Sequence, residues 1–253
     1  MAAGTSRVTD YDTIADRYDR RYALHQYAGI GDTILSFVGS APLSAILEVG
    51  CGTGHWLQMM RGRARLVAGM DPSMQMLGRA REAAPDAAMV RARAERLPWR
   101  DVAFDRIVCV NALHHFKDRE QFFTEAHRTL KRGGGLLTVG LDPHTERDEW
   151  WVYDFFPDTR AIDRARFAPI RIIRGEMTKA GFAWAESFEA DRLETQFSLG
   201  EVFPEGVDRS FTSQLTVLTD EEFARGVSRM REAGDDLRLI GDLRFYATVG
   251  WSR

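Results

Sequence analysis

Apolar and amphipathic segments alternate along the first part of the chain. Segments rich in apolar residues predict five buried strands, at 46–49, 65–71, 87–93, 104–110 and 136–141. Amphipathic segments predict helices between them, at about 54–62, from Pro72 and Ser73 onward, and at 119–131, where Gly133, Gly134 and Gly135 would end the helix. Alternation of this kind is typical of an α/β protein with a doubly wound, mostly parallel sheet.

The pattern loosens after residue 142. It predicts three further elements of the core, a helix at 170–180 and strands at 182–188 and 243–251. The intervening segment contains a clear helix at 219–231 with a capping-box start. We therefore predict four regions: N-terminal lid helices over 1–40, the core over 41–195, a helical cap over 196–240, and a last core strand over 241–253.

The first predicted helix, at 8–24, carries a tyrosine-rich face. Ile14, Tyr18 and Tyr22 share one side of it, and Tyr11 lies next to them. Two interpretations remain open. The helix packs on the core as an ordinary surface helix, or its tyrosines form a lid over a ligand. A second helix is predicted at 29–39.

The first predicted strand runs into a turn built from three glycines. Gly50, Gly52 and Gly54 are spaced two apart, and glycine is needed where a backbone turns tightly against a ligand. A dinucleotide fingerprint requires glycine at the position of His55, so a nicotinamide oxidoreductase is disfavoured. Glu48 lies inside the strand, and its carboxylate favours an amino or hydroxyl group as the ligand.

Asp71 ends the second predicted strand, about 20 residues beyond the glycines, as in ribose-binding βαβ units. A carboxylate at that place lies beside the glycine turn, within reach of ribose hydroxyls. The alternative is that Asp71 only caps the following helix. The glycine turn upstream favours ribose binding.

Composition and charge narrow the class of protein. The chain has 253 residues, of which 44% are hydrophobic, so it can form one large α/β domain, or a domain with a cap. A net charge of −3 argues against nucleic acid as the main partner. Cys51 and Cys109 lack metal-ligand spacing, and no segment approaches the ~20 apolar residues of a membrane span. We expect a soluble, cytoplasmic protein that binds neither a metal ion nor a membrane.

Five short motifs follow one another over 46–141: Leu47–Gly54, Gly69–Asp71, Ala94–Pro98 followed by Phe104 and Asp105, Leu113–Phe116, and Glu125–Gly134. In this order and spacing they resemble class I S-adenosylmethionine-dependent methyltransferases, of the small-molecule type that includes ubiquinone- and menaquinone-biosynthesis enzymes. The resemblance fades after residue 141. It implies a Rossmann-like sheet of seven strands with an antiparallel last strand, and S-adenosyl-L-methionine as the cofactor.

The resemblance also implies roles for individual residues. Gly50 and Gly52 would approach the amino acid part of the cofactor, while Glu48 would orient the turn or bind the ammonium. Asp71 would bind the ribose hydroxyls. The other implied contacts lie along the adenine and the methionine or on the lid helix: Pro72, Met76, Ala94, Glu95, Asn111, Tyr11 and Tyr18. Arg93 departs from the family pattern, which puts a hydrogen bond from this position to the adenine amino group in doubt.

Two histidines are candidates for the chemistry. Methyl transfer from a sulfonium is an in-line displacement, which mainly requires alignment and exclusion of water. His114 and His115 follow the fourth strand, at the carboxyl edge of the sheet, and neutral imidazole can act as a base near neutral pH. Asp142 follows the fifth strand and could orient or assist one of them. The alternative is that Leu113–Phe116 is a structural turn.

The acceptor side is less determined by the sequence. The aromatic segment 150–156 could form a wall of a substrate pocket, part of the core or a dimer contact. Arg160, Arg164 and Arg166 could bind an acidic substrate or remain solvated. The leading hypothesis is a methyltransferase that acts on a small molecule, with a homodimer as one option. The alternative function is an inactive module that binds the cofactor and serves a partner.

Overall fold

The computed structural model describes residues 27–203, 206–234 and 236–253. The helix predicted at 8–24, with Tyr11 and Tyr18, lies outside the described residues. The helix predicted at 29–39 is present as α1 (Ala28–Val38) and ends at Gly39, where φ is +73°. Glycine adopts this left-handed conformation without a Cβ penalty, so the chain can turn from α1 into the first strand.

A single mixed sheet forms the centre of the described structure. Its strands are β1 (Leu43–Val49), β2 (Ala64–Asp71), β3 (Ala88–Arg91), β4 (Phe104–Val110), β5 (Leu130–Leu141), β6 (Glu149–Trp150), β7 (Trp184–Ser198) and β8 (Arg238–Trp251). The order is β3-β2-β1-β4-β5-β8, and β7 pairs with the other edge of β8. The two-residue β6 pairs with the first half of β8, whereas β5 pairs with the second half. Strands β1 to β5 are parallel, and β8 is antiparallel to β5.

This topology confirms the doubly wound, Rossmann-like sheet with an antiparallel last strand. The helices are α2 (His55–Met60), α3 (Met74–Ala83), α4 (Arg119–Thr129), α5 (Trp151–Phe155), α6 (Asp158–Arg166), α7 (Ile170–Lys179), α8 (Leu199–Val202), α9 (Ser213–Thr216) and α10 (Asp220–Ala233). None of the described helices has the length and apolar character to cross a membrane.

Both faces of the sheet are buried. Ile46 of β1 and Val108 of β4 belong to the core cluster on one face, whereas their neighbours Leu47 and Ile107 belong to the cluster on the other face. Because alternate residues of a strand point to opposite faces, a strand that is covered on both sides needs a continuous apolar sequence. The apolar segments of the sequence are therefore explained by helices on both faces.

The sequence-based boundary after α4 was wrong. Helix α4 ends at Thr129, β5 begins at Leu130, and Gly133 lies inside the strand with φ of +71°. The pairing of β5 with β4 shifts register between Phe104 and Arg106, which marks a bulge. Glycine permits the positive φ that such a bulge can require, so these glycines bend a strand and do not end a helix.

Strands β7 and β8 are longer than the strands predicted at 182–188 and 243–251. They remain paired from Trp184 opposite Trp251 to Ser198 opposite Arg238. The segment between them therefore covers 199–237, within the cap predicted at 196–240. Cross-strand hydrogen bonds extend this ladder past the residues whose apolar alternation was recognisable from the sequence.

Candidate active site

The glycine turn after β1 is shaped by backbone conformation. Gly50, Gly52 and Gly54 have φ of +75°, +52° and +86°. A Cβ at Gly50 would lie 2.4 Å from the Cβ of Ala112, in the segment that follows β4. Glycine is therefore required at position 50 for conformation and for packing. It lets the turn after β1 lie directly against the end of β4.

Asp71 holds this turn from the neighbouring strand. Its Oδ2 accepts a hydrogen bond from the Gly52 N–H at 3.1 Å, and its Oδ1 accepts one from the Ser73 N–H at 2.9 Å. The N-cap of α3 is Ser73, whose hydroxyl accepts from the Met76 N–H at 3.1 Å. Asp71 therefore lies before the cap residue, and its carboxylate connects the glycine turn to the start of α3.

Glu48 is a buried carboxylate at the same edge. Only 1% of the residue is exposed, and its Oε2 accepts no hydrogen bond from the described residues. Burial, and then the nearby charge of Asp71, raise the pKa of Glu48 well above its ordinary value. A positively charged ligand group placed next to these two carboxylates would stabilise their ionised forms.

Asn111 follows β4 in an unusual backbone conformation. Its φ is +50°, a left-handed value that asparagine tolerates better than most residues. Its N–H donates to the carbonyl of Val139 at 2.8 Å, which ties it to β5. This conformation places Asn111 in the lining of a cavity that His114 also lines.

The two histidines lie in a single 3₁₀ turn, Leu113–His115. The His114 ring stacks on Phe167 with centroids 4.0 Å apart and an angle of 22° between planes. The His115 ring is 3.8 Å from the His114 ring. His114 lines the cavity directly, so the structure favours it over His115 as the group next to an acceptor. The Phe167 contact had no signal in the sequence.

Asp142 is buried and accepts hydrogen bonds from two backbone groups. It is 3% exposed, its Oδ1 accepts from the His144 N–H and its Oδ2 accepts from the Ile170 N–H, both at 3.0 Å. These hydrogen bonds fix the loop after β5 to the start of α7. Both carboxylate oxygens therefore hold backbone groups and shape the loop, and the expected role of Asp142 toward a histidine stays a prediction.

The residues expected along the adenine occupy the β2–β3 side of the sheet. Met76 and Ala94 are buried, and Pro72 is exposed. Glu95 accepts a hydrogen bond from the Lys117 N–H at 2.8 Å, which connects the loop after β3 to the segment after the histidine turn. Their role toward the adenine stays a prediction.

A cavity that is partly open to solvent lies at the carboxyl edge of the sheet. Asn111 after β4 and Leu141 at the end of β5 mark this position. Its apolar wall is mainly aromatic and includes Trp150, Trp151, Phe167, Phe197, Phe211 and Phe245. Its polar wall comes from β7 and the cap and consists of Thr195, Ser210, Thr212, Ser213 and Gln214.

The aromatic segment 150–156 serves two of the three functions left open by the sequence. Trp150 and Trp151 line the cavity, whereas Phe156 is a buried core residue, 1% exposed. Phe203 packs on Phe211 with ring centroids 5.0 Å apart, and both rings lie within 5.6 Å of Trp151. The cap therefore covers the cavity with aromatic side chains.

The three arginines considered for an acidic substrate contact the protein itself. Arg160 lies over the ring of Tyr153, and Arg164 pairs with Glu146 at 2.6 Å. Arg166 is 3.8 Å from the buried carboxylate of Asp163. Arg160 and Arg164 therefore have partners within the protein, whereas Nη1 and Nη2 of Arg166 are buried without a hydrogen-bond partner among the described residues.

Comparisons with known proteins agree with this site. Residues 47–138 match a family model described as a methyltransferase domain. A demethylmenaquinone methyltransferase of Thermotoga maritima is 28% identical over 158 residues, 59% of this chain and 68% of the relative. A malonyl-acyl-carrier-protein O-methyltransferase of Hamiltonella defensa is 28% identical over 149 residues, 58% of this chain and 57% of the relative.

The fold is shared with solved structures. The crystal structure of the YcgJ protein from Bacillus subtilis superposes with a TM-score of 0.65 and 17% identity, covering 90% of this chain and 99% of that one. Sheet, glycine turn and matched domain define a methyltransferase on a Rossmann-like fold. The matched domain over 47–138 and these relatives support a class I S-adenosylmethionine-dependent methyltransferase, of the type that includes ubiquinone- and menaquinone-biosynthesis enzymes.

The described residues fit the cofactor of this family, S-adenosylmethionine. The cofactor carries two cationic groups, an ammonium and a sulfonium, together with ribose hydroxyls. Glu48 and Asp71 provide carboxylates at the glycine turn, and one oxygen of Glu48 is buried without a hydrogen bond from the described residues. No group of His, Cys, Asp and Glu in the described part of the chain has an arrangement that could hold a metal ion.

Proposed function

We propose that this protein transfers a methyl group from S-adenosylmethionine to a small-molecule acceptor bound in the cavity beside His114. The observation that carries the proposal is the arrangement at the carboxyl edge of the sheet. The glycine turn, Asp71 and Glu48 lie at the ends of β1 and β2, and the cavity begins at Asn111 and His114 after β4. Cofactor and acceptor sites are therefore neighbours on one edge.

The cofactor supplies an activated methyl group on a positively charged sulfur. The residues of the chain then have to bind the two reactants, align them and exclude water. Positioning of this kind can lower the activation barrier by ~7–11 kcal/mol. In this proposal Asp71 binds the ribose, Gly50 and Gly52 allow close approach of the backbone, and Glu48 faces the ammonium. Asn111 orients the methionine end, next to the acceptor.

His114 is the proposed base for an acceptor that loses a proton. Its ring is held between Phe167 and His115, with centroids 4.0 Å and 3.8 Å away, and it lines the acceptor cavity. A fixed imidazole at the wall can receive the proton of a hydroxyl as the methyl group arrives. Trp151 and the cap residue Phe211 exclude water from the same space.

The names of the relatives support a small acceptor. One acts on demethylmenaquinone and the other on a malonyl group carried by a protein. The matched segments span 57 to 68% of these relatives, and the cavity wall lies mostly beyond the matched domain, which ends at residue 138. The acceptor is therefore defined by this chain's own cap. A cytoplasmic location and a homodimer stay proposals from the sequence.

The alternative function is a cofactor-binding module without activity. Both functions require the glycine turn, but only the enzyme requires an accessible acceptor cavity beside His114, and the cavity favours the enzyme. The test is incubation with pools of small molecules and a cofactor whose methyl group carries deuterium, with products detected by mass spectrometry. The proposal expects labelled products that disappear with Asp71→Ala. Cofactor binding without transfer to any pool would favour the inactive module.

A further inference from the structure

The polar side chains that line the acceptor cavity bond to one another with defined donors and acceptors. Gln214, which is 3% exposed, accepts from two of them. Its Oε1 accepts hydrogen bonds from the hydroxyl of Thr212 and, at 3.3 Å, from the hydroxyl of Ser213. The Gln214 side chain also interacts with the carboxylate of Asp163. Because an ionised carboxylate only accepts hydrogen bonds, the amide nitrogen of Gln214 is the group that faces it.

Asp163 is itself held in place below this wall. It is fully buried, and its Oδ2 accepts a hydrogen bond from the hydroxyl of Tyr153 at 2.9 Å. Asp163 lies in α6 and Tyr153 in α5, while Gln214 belongs to α9 of the cap. The interaction joins the cap to the core, and the hydrogen bonds from Thr212 and Ser213 mark Oε1 as the acceptor end of the Gln214 amide.

This orientation determines what the wall offers to a ligand. A hydroxyl has one proton to donate and two lone pairs to accept with. Thr212 and Ser213 donate their protons to Gln214, and Thr195 donates to the carbonyl of Gly241 at 3.4 Å. Their oxygens are left with acceptor capacity. The wall is therefore complementary to a hydrogen-bond donor on the acceptor molecule.

The aromatic residues of the lining offer flat apolar surfaces to a ring. Trp150, Trp151 and Phe211 are three of them, and the indole of Trp151 lies 5.6 Å from the ring of Phe211. The described lining residues are aromatic, aliphatic, hydroxyl or amide residues, with His114 as the one ionisable side chain besides Tyr27. A charged ligand group would lose its water without gaining an ion pair from a permanently charged lining residue, which weakens binding strongly.

We infer that the acceptor is an uncharged, ring-containing molecule with a free hydroxyl or N–H group that donates to the Thr195, Thr212 and Ser213 side of the cavity. The inference rests on the proposed function in taking this cavity as the acceptor site.

Three probes with one ring system test both parts of the inference. They are 2-naphthol, 2-methoxynaphthalene and 2-naphthoate, titrated with and without S-adenosylhomocysteine at pH 8 and followed by tryptophan fluorescence. We expect 2-naphthol to bind at least about tenfold more tightly than 2-naphthoate, and about threefold or more tighter than 2-methoxynaphthalene, since one hydrogen bond has that order of effect.

A substitution that installs a charge provides a gain-of-binding test. Thr195→Lys adds a cation to the polar wall and should improve binding of 2-naphthoate by about fivefold or more. Ile240→Lys is the matched control, because Ile240 is 50% exposed on the adjacent strand and is not among the lining residues. It should leave all three affinities unchanged.

The outcomes are separable from the test of the proposed function. If 2-naphthoate binds the native protein as tightly as 2-naphthol, or if 2-naphthol does not bind while S-adenosylhomocysteine does, the inference is overturned and the cofactor assignment stands. Equal binding of 2-methoxynaphthalene and 2-naphthol overturns the donor part. If Thr195→Lys does not fold, the three titrations with the native protein decide.

Discussion

The carboxylate of Asp71 accepts a hydrogen bond from the backbone N–H of Gly52 at 3.1 Å. The bond connects the end of β2 to the glycine turn after β1, so two motifs that are 19 residues apart form one edge of the candidate cofactor site. This relationship gives the first prediction its basis. A change at Asp71 should alter both the ribose contact and the shape of the turn.

We expect Asp71→Ala to weaken S-adenosylhomocysteine binding by about 10²-fold, because a charge-assisted hydrogen bond and the support of the turn are lost together. Asp71→Asn keeps one acceptor oxygen, so its affinity for S-adenosylhomocysteine should lie between those of Asp71→Ala and the native protein. Calorimetric titration measures the affinity. Asp86→Ala is the control, since Asp86 is an exposed aspartate paired with Arg61, and it should not change binding. Native affinity in Asp71→Ala would remove this residue from the site.

Gly50→Ala should destabilise the protein. The added Cβ would lie 2.4 Å from the Cβ of Ala112, and φ of +75° is unfavourable for alanine. We expect a loss of about 1–3 kcal/mol in the free energy of unfolding, measured with urea, together with weaker cofactor binding. Gly78→Ala is the control, because Gly78 lies in α3 with open space around its Cβ position. A Gly50→Ala protein as stable as the Gly78→Ala protein would contradict this account.

The structure of the histidine turn predicts that His114 and His115 contribute unequally to turnover. His114→Gln should lower turnover by about 10²-fold with little effect on S-adenosylhomocysteine affinity, as expected when a general base is lost. His115→Gln should have a smaller effect, because His115 is not among the residues that line the cavity, whereas His114 is. The measurement is single-turnover methylation of an identified acceptor. A larger loss with His115→Gln, or no loss with His114→Gln, would assign the base elsewhere.

Asp163 should impose a pH dependence on stability. Burial is the main reason that its pKa is raised to about 6, against an ordinary value of ~3.9. The folded protein therefore keeps a proton that the unfolded chain releases between about pH 4 and 6. The stabilisation from this group is complete below that window and is lost as the pH rises through about 6.

Asp163→Asn removes this titration. The difference in Tm between the native protein and the variant should therefore fall as the pH rises from about 4 to about 7. Differential scanning fluorimetry across this range measures it. Asp158→Asn, in the exposed first residue of the same helix, is the control and should track the native protein. A native-to-Asp163→Asn difference that does not change with pH would contradict the raised pKa.

The sequence predicted the cofactor side of the site because its signals are local. Within one βαβ unit, strand ends and the parallel arrangement place Gly50 and Asp71 side by side, so their spacing along the chain already contains the geometry. The same reasoning located Asn111 and His114 at the carboxyl edge. The five parallel strands were recognisable because burial on both faces requires apolar sequences.

The acceptor side was not predictable in this way. Phe167, Thr195 and Gln214 come from the segment before α7, from β7 and from the cap, and they meet only because long-range packing brings these parts together. No periodicity connects such positions along the chain. Gly133 was misread for a related reason, since a glycine with positive φ looks the same in sequence whether it ends a helix or bends a strand.

The most direct test of the central claim is calorimetric titration of the native protein with S-adenosylhomocysteine, with NADH as the parallel ligand. The account predicts saturable binding of one S-adenosylhomocysteine per chain and no heat from NADH beyond dilution. Binding of NADH, or no binding of S-adenosylhomocysteine to the folded protein, would contradict it.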